Sequence, residues 1–250
     1  MRFSVIIPLY NKAPYVDKAI RSVLSQTFTD YELIIVDDGS TDCSADLAEK
    51  AISGKEGCRL IRQPNSGVSV ARNNGVAASN GDYLCFLDAD DWWEQTFLES
   101  MNQLIEDFQD AGAYATGYTI VNESKHKTRV AETGVDAGFI KGYINDGRAY
   151  ARTMVMPMCT DTVCVPRSVF NEFGGFPKGI KLGEDFMLWI RIAIKYKIVL
   201  LNKPLAFYNQ DVAAQNRGVG HLYNPGEHML WNLSFLEDEE QANPDLKQLT

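Results

Sequence analysis

Short apolar runs alternate with stretches of helical periodicity along the first 110 residues of the chain. Three of these runs are rich in β-branched or aromatic side chains, which predicts buried strands, and Arg59-Leu60-Ile61-Arg62 is a weaker strand candidate. The stretch after the first run repeats its apolar residues at intervals of three or four, as Val16, Ile20 and Val23 do, which predicts a helix. In chain order, the pattern predicts strands at 4–7, 32–36, 59–62 and 82–87, and helices at 14–26, 43–53, 68–79 and 97–108.

This alternation predicts an α/β fold built on a doubly wound, mostly parallel central sheet that is flanked by helices. In sheets of this kind, ligands bind in the crevice beyond the carboxyl ends of the strands. Tyr10, Asp38 and Asp88 each stand shortly after a predicted strand. We therefore expect these side chains to meet at one edge of the sheet, although they are distant in sequence.

The periodicity weakens after residue 110. The chain from 122 to 147 is polar and rich in turn residues, so we expect loops or a small hairpin there. A helix is predicted from Glu184 and Asp185 to about residue 196, because acidic residues favour a first turn. Two glycines in a polar context indicate a mobile loop over 209–222, which we expect to act as a lid. Further strands are predicted at 114–121, 198–201 and 205–208 and a last helix from about 224, whereas 150–165 has no decisive pattern.

Composition and charge narrow the class of protein. The chain has 250 residues, of which 45% are hydrophobic and 23% are charged, as in a soluble globular protein with a sizeable core. The formal net charge of −9 argues against a nucleic-acid binder, whose binding face is basic. The charge leaves a nucleotide or another phosphate ligand open, because a bound metal ion supplies local positive charge.

Cysteine usage and hydropathy bear on the cellular compartment. The five cysteines are odd in number and are not spaced like zinc ligands, so we expect reduced thiols in a cytosolic protein. The N-terminal apolar run is too short for a signal peptide, and no stretch approaches the roughly 20 apolar residues of a membrane span. We expect a cytoplasmic protein. Peripheral contact with the inner face of the membrane stays open, as does a native chain that extends past Thr250.

The most informative polar cluster follows the predicted strand at 82–87, where Asp88, Asp90 and Asp91 stand within four residues. Like charges this close repel one another, so a proton or a cation has to reduce the repulsion. Mg²⁺ and Mn²⁺ prefer oxygen ligands and keep room for substrate phosphates. The pattern is equally typical of a metal–diphosphate site and of an acidic turn that begins the next helix, and both interpretations stay open on these residues alone.

Five segments, in this order and at this spacing, resemble the family 2 glycosyltransferases of the GT-A fold, and the resemblance covers about residues 3–208. It implies one GT-A domain over 1–208, with a nucleotide-sugar half at 1–110 and an acceptor half at 111–208. A flexible loop and a C-terminal helix are expected at 209–250. The matching segments are Val5-Ile6-Ile7-Pro8-Leu9-Tyr10-Asn11, Val36-Asp37-Asp38-Gly39-Ser40-Thr41-Asp42, Gly67-Val68-Ser69-Val70-Ala71-Arg72-Asn73, Leu87-Asp88-Ala89-Asp90-Asp91 and Gly183-Glu184-Asp185.

The resemblance implies an inverting enzyme that moves a sugar from a nucleoside diphosphate, most often UDP, to a hydroxyl group. The acceptor would be a glycan or a lipid-linked molecule, as in cell-surface polysaccharide synthesis. On this basis Pro8 and Tyr10 shape the base and ribose pocket, and Asp38 binds the uracil edge. Arg72 reaches the base or the diphosphate, and Asp88 lies near the ribose and the metal.

The resemblance also implies a divalent cation, Mg²⁺ or Mn²⁺, and a general base. Asp90 is assigned as a direct metal ligand, with Asp88 beside it and Asp91 as a further candidate. Asp185 is assigned as the general base, and Glu184 is a candidate beside it.

Three further residues are weaker candidates. A late histidine completes the metal shell in some related enzymes, and His221 is the candidate here. Trp92 and Trp93 closely follow the acidic motif, so we expect them in the core or at the wall of the sugar site.

Two other functions stay open on the sequence. A dinucleotide-dependent oxidoreductase fits the alternating pattern, but the Gly-x-Gly-x-x-Gly loop that it needs does not follow the first strand. A non-catalytic module that binds sugar nucleotides fits the same motifs as the enzyme.

Overall fold

The computed structural model describes residues 1–132, 134–136, 138–144, 158–212, 224–229 and 232. Within these residues ten strands form one sheet, and six α-helices pack on its faces. The strands are β1 (Phe3–Leu9), β2 (Tyr31–Asp37), β3 (Cys58–Arg62), β4 (Tyr83–Phe86), β5 (Trp92–Trp93), β6 (Ala113–Asn122), β7 (Lys127–Val130), β8 (Lys141–Ile144), β9 (Val163–Pro166) and β10 (Ile198–Asn209). The helices are α1 (Val16–Leu24), α2 (Ser44–Ile52), α3 (Val68–Ala77), α4 (Phe97–Asp107), α5 (Arg167–Glu172) and α6 (Glu184–Lys195).

The sheet is parallel in its first half and mixed in its second half. Its order is β3-β2-β1-β4-β9-β6-β10-β5, with β7 added to β6 and β8 added to β10. Strands β1–β4, β6 and β10 run in one direction, whereas β5, β7, β8 and β9 run in the other. A mostly parallel sheet was therefore a correct prediction for β1–β4, but antiparallel β9 interrupts it between β4 and β6. Parallel neighbours need a long crossover, and the short turn from β6 to β7 permits only antiparallel pairing.

Successive side chains of each central strand point to opposite faces, and this divides the core into two layers. On one face, Ile7 of β1 packs with Ile20 of α1 and Met101 of α4. On the other face, Ile6 of the same strand belongs to a cluster with Trp189 of α6. Helices α1, α2 and α4 cover the first face, and α3, α5 and α6 cover the second. The predicted α/β fold with helices on both faces is confirmed.

The eight elements predicted in the first 110 residues are all present. In the second half, β10 is one strand rather than two, because its pairing with β6 continues through register shifts on both sides of Pro204. Strands β5, β8 and β9 and helix α5 were not predicted. Most of the expected loop at 209–222 and of the last helix lies outside the described residues, which include only the 3-10 turn Pro225–Glu227 of that region.

Two other expectations concern the thiols and the membrane. All five cysteines are free thiols. Over the part of the chain that the structure describes, no helix combines the length and apolar character that a bilayer crossing requires.

Candidate functional site

A cavity of about 640 Å³ lies at the carboxyl ends of β1, β2 and β4, where the first strands and the loops after them meet α6. The convergence expected from the order of the motifs is therefore confirmed. The predicted residue His221 lies outside the described residues. The other predicted site residues all line the cavity: Pro8, Tyr10, Asp38, Arg72, Asp88, Asp90, Asp91, Glu184 and Asp185.

The loop after β2 is held against the end of β1. The side-chain oxygen of Asn11 accepts a hydrogen bond from the backbone N–H of Thr41 at 2.8 Å. Gly39 has φ +75°, and a Cβ at this position would lie 2.9 Å from the backbone nitrogen of Asn65. The left-handed backbone and the close approach both require glycine here. This loop geometry fixes the position of Asp38 at the wall of the cavity.

Asp38 organises the next loop of the site. Its side chain is buried, and its carboxylate accepts hydrogen bonds from Gln63 Nε2 at 2.7 Å and from the backbone N–H groups of Ser66 and Gly67, both at 2.8 Å. Asp38 thus holds the segment that leads into α3, and that segment forms one wall of the cavity. Its assignment to the uracil edge stays a prediction.

Arg72 joins the two halves of the site. Its guanidinium contacts Asp88 Oδ1 at 2.7 Å and Glu184 Oε1 at 2.8 Å, and its side chain is only 3% exposed. Burial opposes the charge, but the carboxylates of Asp88, Glu184 and Asp185 outweigh that effect and raise the pKa of Arg72. The guanidinium therefore stays charged and fixes the acidic loop after β4 relative to the start of α6.

The turn into α6 presents two adjacent carboxylates to the cavity. Gly183 adopts the left-handed conformation, with φ +82°, immediately before the helix begins at Glu184. Burial, followed by the charge of Asp185, raises the pKa of Glu184 to about 7, although Arg72 lowers it. Asp185 accepts hydrogen bonds from the Thr160 hydroxyl and from the backbone N–H of Phe186, both at 2.8 Å. Glu184 is thus bound to Arg72, while Asp185 is oriented by neutral donors.

Lys12 is a functional candidate that the sequence reasoning missed. Its Nζ lies 2.5 Å from Asp90 Oδ2, and both side chains are less than one fifth exposed, at 15% and 17%. Burial and the charge of Asp88 raise the pKa of Asp90, whereas Lys12 lowers it. The available signal was the position of Lys12, directly after the motif residues Tyr10 and Asn11.

A second missed residue, Asp161, completes an acidic cluster with Asp88 and Asp91. One carboxylate oxygen from each of the three residues lies within 4.8 Å of the others. Asp161 stands in the 3-10 turn Thr160–Thr162 before β9, and because β9 runs antiparallel to β4, this turn lies beside the residues that follow β4. Asp161 Oδ1 accepts a hydrogen bond from the backbone N–H of Asp88 at 2.7 Å.

The charges of this cluster fit a divalent cation. Burial, followed by the charge of Asp88, raises the pKa of Asp161 to about 7. Burial, followed by the charges of Asp161, Asp90 and Asp88, raises the pKa of Asp91 well above its ordinary value. A proton or a cation must reduce this repulsion, and an all-carboxylate donor set suits Mg²⁺ or Mn²⁺. Asp90, a predicted ligand, is paired with Lys12 instead of joining this cluster, and its role stays a prediction.

A second cavity, of about 490 Å³, adjoins the first. Asp185 and Tyr208 line both cavities, and the second one extends over β6 and β7. Asp185 therefore stands at the junction of the two cavities.

The tryptophans after the acidic motif have structural roles. Trp93 is buried, stacks on Phe97 and donates from Nε1 to the backbone oxygen of Asp161 at 2.7 Å. Trp92 stacks on Phe207 of β10. Neither lines the two cavities described above. Trp93 instead supports the turn that carries Asp161.

The family profile described as Glycosyl transferase family 2 matches residues 4–174, which is more than half of the chain. The chain belongs to glycosyl transferase family 2. Membership decides against the oxidoreductase alternative. This family 2 chain is 34% identical over 205 residues to an uncharacterized glycosyltransferase of Rickettsia felis, which covers 82% of this chain and 32% of that protein. It is 25% identical over 243 residues to the glycosyltransferase GlyG of Streptococcus pneumoniae serotype 4. That match covers 94% of this chain and 77% of GlyG.

Two solved structures share the fold of this family 2 chain. Staphylococcus aureus TarS (residues 1–349), in complex with UDP-GlcNAc, matches with a TM-score of 0.73 and 20% identity over 90% of this chain and 62% of that one. The mannosyltransferase PcManGT from Pyrobaculum calidifontis, in complex with GDP-Man and Mn²⁺, matches with a TM-score of 0.69 and 18% identity. That match covers 99% of this chain and 67% of the PcManGT chain. The predicted GT-A fold is confirmed. The chain spans about a third of the length of the first curated relatives that it matches, at 32%.

Proposed function

We propose that this chain is an inverting glycosyltransferase that moves a sugar from a nucleoside diphosphate, with UDP as the first candidate, to a hydroxyl of a saccharide or lipid-linked acceptor. The observation that carries the proposal is the position of Asp185, which lines both cavities. The larger cavity is assigned to the donor, because Asp88, Asp90 and Asp91 line it together with the cationic side chains of Lys12 and Arg72.

The donor cavity has groups suited to each part of a nucleotide sugar. Tyr10 is 45% exposed at the cavity, so its ring is available to a base, beside Pro8. Asp38 fixes the loop that the base and ribose would meet, and Arg72 supplies a permanent positive charge near Asp88. Solved structures with the same fold contain UDP-GlcNAc and GDP-Man, which supports a nucleotide sugar as the donor.

Asp88, Asp91 and Asp161, with Asp90 next to them, are assigned to hold Mg²⁺ or Mn²⁺. Such an ion, when bound, acts as a Lewis acid and reduces the negative charge that develops on the leaving diphosphate. Lys12 forms an ion pair with Asp90 and supplies additional positive charge at this edge of the cavity.

Asp185 is assigned to remove the proton from the acceptor hydroxyl as it attacks the sugar. A general base must lie within hydrogen-bond reach of the attacking group, and the position of Asp185 between the two cavities supports its assignment to this role. The Thr160 hydroxyl and the Phe186 N–H hold both carboxylate oxygens in place. Attack from the side opposite the diphosphate inverts the anomeric centre without a covalent enzyme intermediate.

The test is a panel of nucleotide sugars, including UDP-glucose, UDP-N-acetylglucosamine and GDP-mannose, with Mg²⁺, Mn²⁺ or EDTA. Release of the nucleoside diphosphate is measured with and without a mixture of oligosaccharide acceptors, and Asp185→Asn serves as the control. Metal-dependent release that Asp185→Asn lacks supports the proposal. UDP binding by calorimetry without release from any donor would instead favour the non-catalytic binding module.

A further inference from the structure

The floor of the second cavity is one face of the strands β7, β6 and β10. Tyr118 and Ile120 are two residues apart on β6 and therefore point to the same face. Arg129 of β7 and Tyr208 of β10 are both paired with Ile120, and residues directly opposite in a sheet share a face. All four residues line the cavity.

The wall of this cavity is the beginning of α6. Asp185 and Phe186 line the cavity, and Asp185 is the residue assigned above as the base. Tyr118, Phe186 and Tyr208 thus offer aromatic surface within the same cavity as the reacting carboxylate. Cavities that are mostly apolar with a few placed polar groups are typical of small-molecule binding sites.

The strand at the edge of this cavity is basic, in contrast to the chain as a whole. Residues 124–130 contain Lys125, Lys127 and Arg129 and no carboxylate, although the net charge of the chain is −9. Arg129 is exposed, and within the described residues it has no ion pair or side-chain hydrogen bond. Lys127 stands two residues before Arg129 and so shares its face of β7.

A guanidinium without a carboxylate partner at the edge of a binding cavity is suited to an anionic group. Arginine presents a planar fork of donors that matches carboxylates and phosphates. Glu132 also lines the cavity and is exposed, so it would oppose an anionic ligand rather than bind it. Neutralising Arg129 should therefore weaken the binding of an anionic ligand, and neutralising Glu132 should strengthen it.

We propose that the second cavity binds an acceptor saccharide that carries an anionic group, either a phosphate or a carboxylate, which Arg129 holds. The sugar ring lies against Tyr118 and Phe186, with a hydroxyl toward Asp185. This inference rests on the proposed function, because it identifies the cavity as the acceptor site. The inference adds that the acceptor is negatively charged, whereas the proposed function does not specify its charge.

The experiment measures saccharide binding by NMR titration of the full chain, without any donor. The probes are maltohexaose, which is neutral, a monophosphorylated maltohexaose, and a hexagalacturonate. We expect at least one anionic probe to bind about fivefold more tightly than maltohexaose, which corresponds to one exposed charge-assisted hydrogen bond. The phosphorylated and carboxylated probes separate the two sources of charge.

Four variants make the result specific. Arg129→Gln should remove the preference for the anionic probe, and Arg129→Lys should restore part of it. Glu132→Gln should increase the preference by roughly twofold, since a nearby like charge is removed. Lys50→Gln, an equal change of charge on the exposed side of α2, should leave it unchanged. Thermal unfolding of each variant verifies that it is folded.

Equal binding of neutral and anionic probes, no saccharide binding, or a preference that survives Arg129→Gln would each overturn the inference. A preference for only one anion supports it and narrows the ligand class to that anion. The binding experiment contains no donor, so its result does not depend on donor turnover. A failure of the inference can therefore be distinguished from a failure of the proposed function, which the nucleotide-sugar assay tests separately.

Discussion

Replacing Arg72 by methionine removes the cation that lies between Asp88 and Glu184. The Glu184 side chain is 11% exposed, so water cannot replace the lost partner, whereas the Asp88 side chain is 34% exposed and is partly solvated. Removing one partner of a buried ion pair costs about 3–5 kcal/mol. Because only one of the two carboxylates is left buried, we expect a loss in the free energy of unfolding near the lower limit, about 3 kcal/mol at pH 8.

The loss of unfolding free energy in Arg72→Met should depend on pH, and the ionisation of Glu184 determines the direction of that dependence. Burial and the charge of Asp185 raise the pKa of Glu184 in the folded protein to about 7, from an ordinary value of 4.5. A carboxyl group with a raised pKa binds its proton more tightly in the folded state, so its stabilising contribution is complete below pH 4.5 and is lost as the pH rises through 7. Without Arg72 the pKa of Glu184 rises further, and the variant should therefore lose less stability at pH 5 than at pH 8.

The assay is urea unfolding in EDTA, followed by tryptophan fluorescence at both pH values. Arg72→Met, Glu184→Gln and the double variant form a mutant cycle. The double variant leaves no buried carboxylate without a partner at Glu184, so it should recover about 2 kcal/mol of the loss. Additive losses in the double variant, or a loss below about 1 kcal/mol for Arg72→Met at pH 8, would refute the reasoning.

Three further predictions test the site. Asp185→Asn should lower the transfer rate by roughly two to four powers of ten while donor affinity is kept, and near-normal initial rates at saturating acceptor would contradict its role as base. Treatment of the wild-type chain with EDTA should weaken UDP binding in calorimetry by at least about tenfold, because the diphosphate then meets uncompensated carboxylates; equal affinities would remove the metal from donor binding. Gly39→Ala should destabilise the protein by about 1–3 kcal/mol, since φ is +75° and the new Cβ meets Asn65, and an unchanged urea midpoint would contradict this.

The first half of the fold was predictable because its information is local. Strands β1, β2 and β4 are short apolar runs, and helices α1 and α2 carry a periodic apolar face, as Val16, Ile20 and Val23 do in α1. The order of these elements was sufficient to place Asp38 and Asp88 at the same edge. Most of the candidate site residues follow from this arrangement.

The remaining part of the site depends on pairing between distant segments. Asp161 reaches Asp88 only because β9 pairs antiparallel with β4, and no periodicity in residues 150–165 indicated that strand. The ion pair of Arg72 with Glu184 spans 112 positions. Lys12 was visible in the sequence, but its partner was not. The predicted motifs therefore identified the residues of the cavity more reliably than their mutual contacts.

The insertion of β9 between β4 and β6 also has a consequence for the order of folding. Strands β1, β2 and β3 pair across fewer than 30 residues, whereas the pairings of β4 with β1 and of β9 with β4 each close a loop of about 80 residues. Long loops are closed late, because their entropy cost precedes any gain from contacts. We expect the acidic cluster to be assembled only when β9 docks, which makes Asp161 the last of its three carboxylates to arrive. A cation that binds this cluster would then stabilise the completed sheet alone and would slow its unfolding.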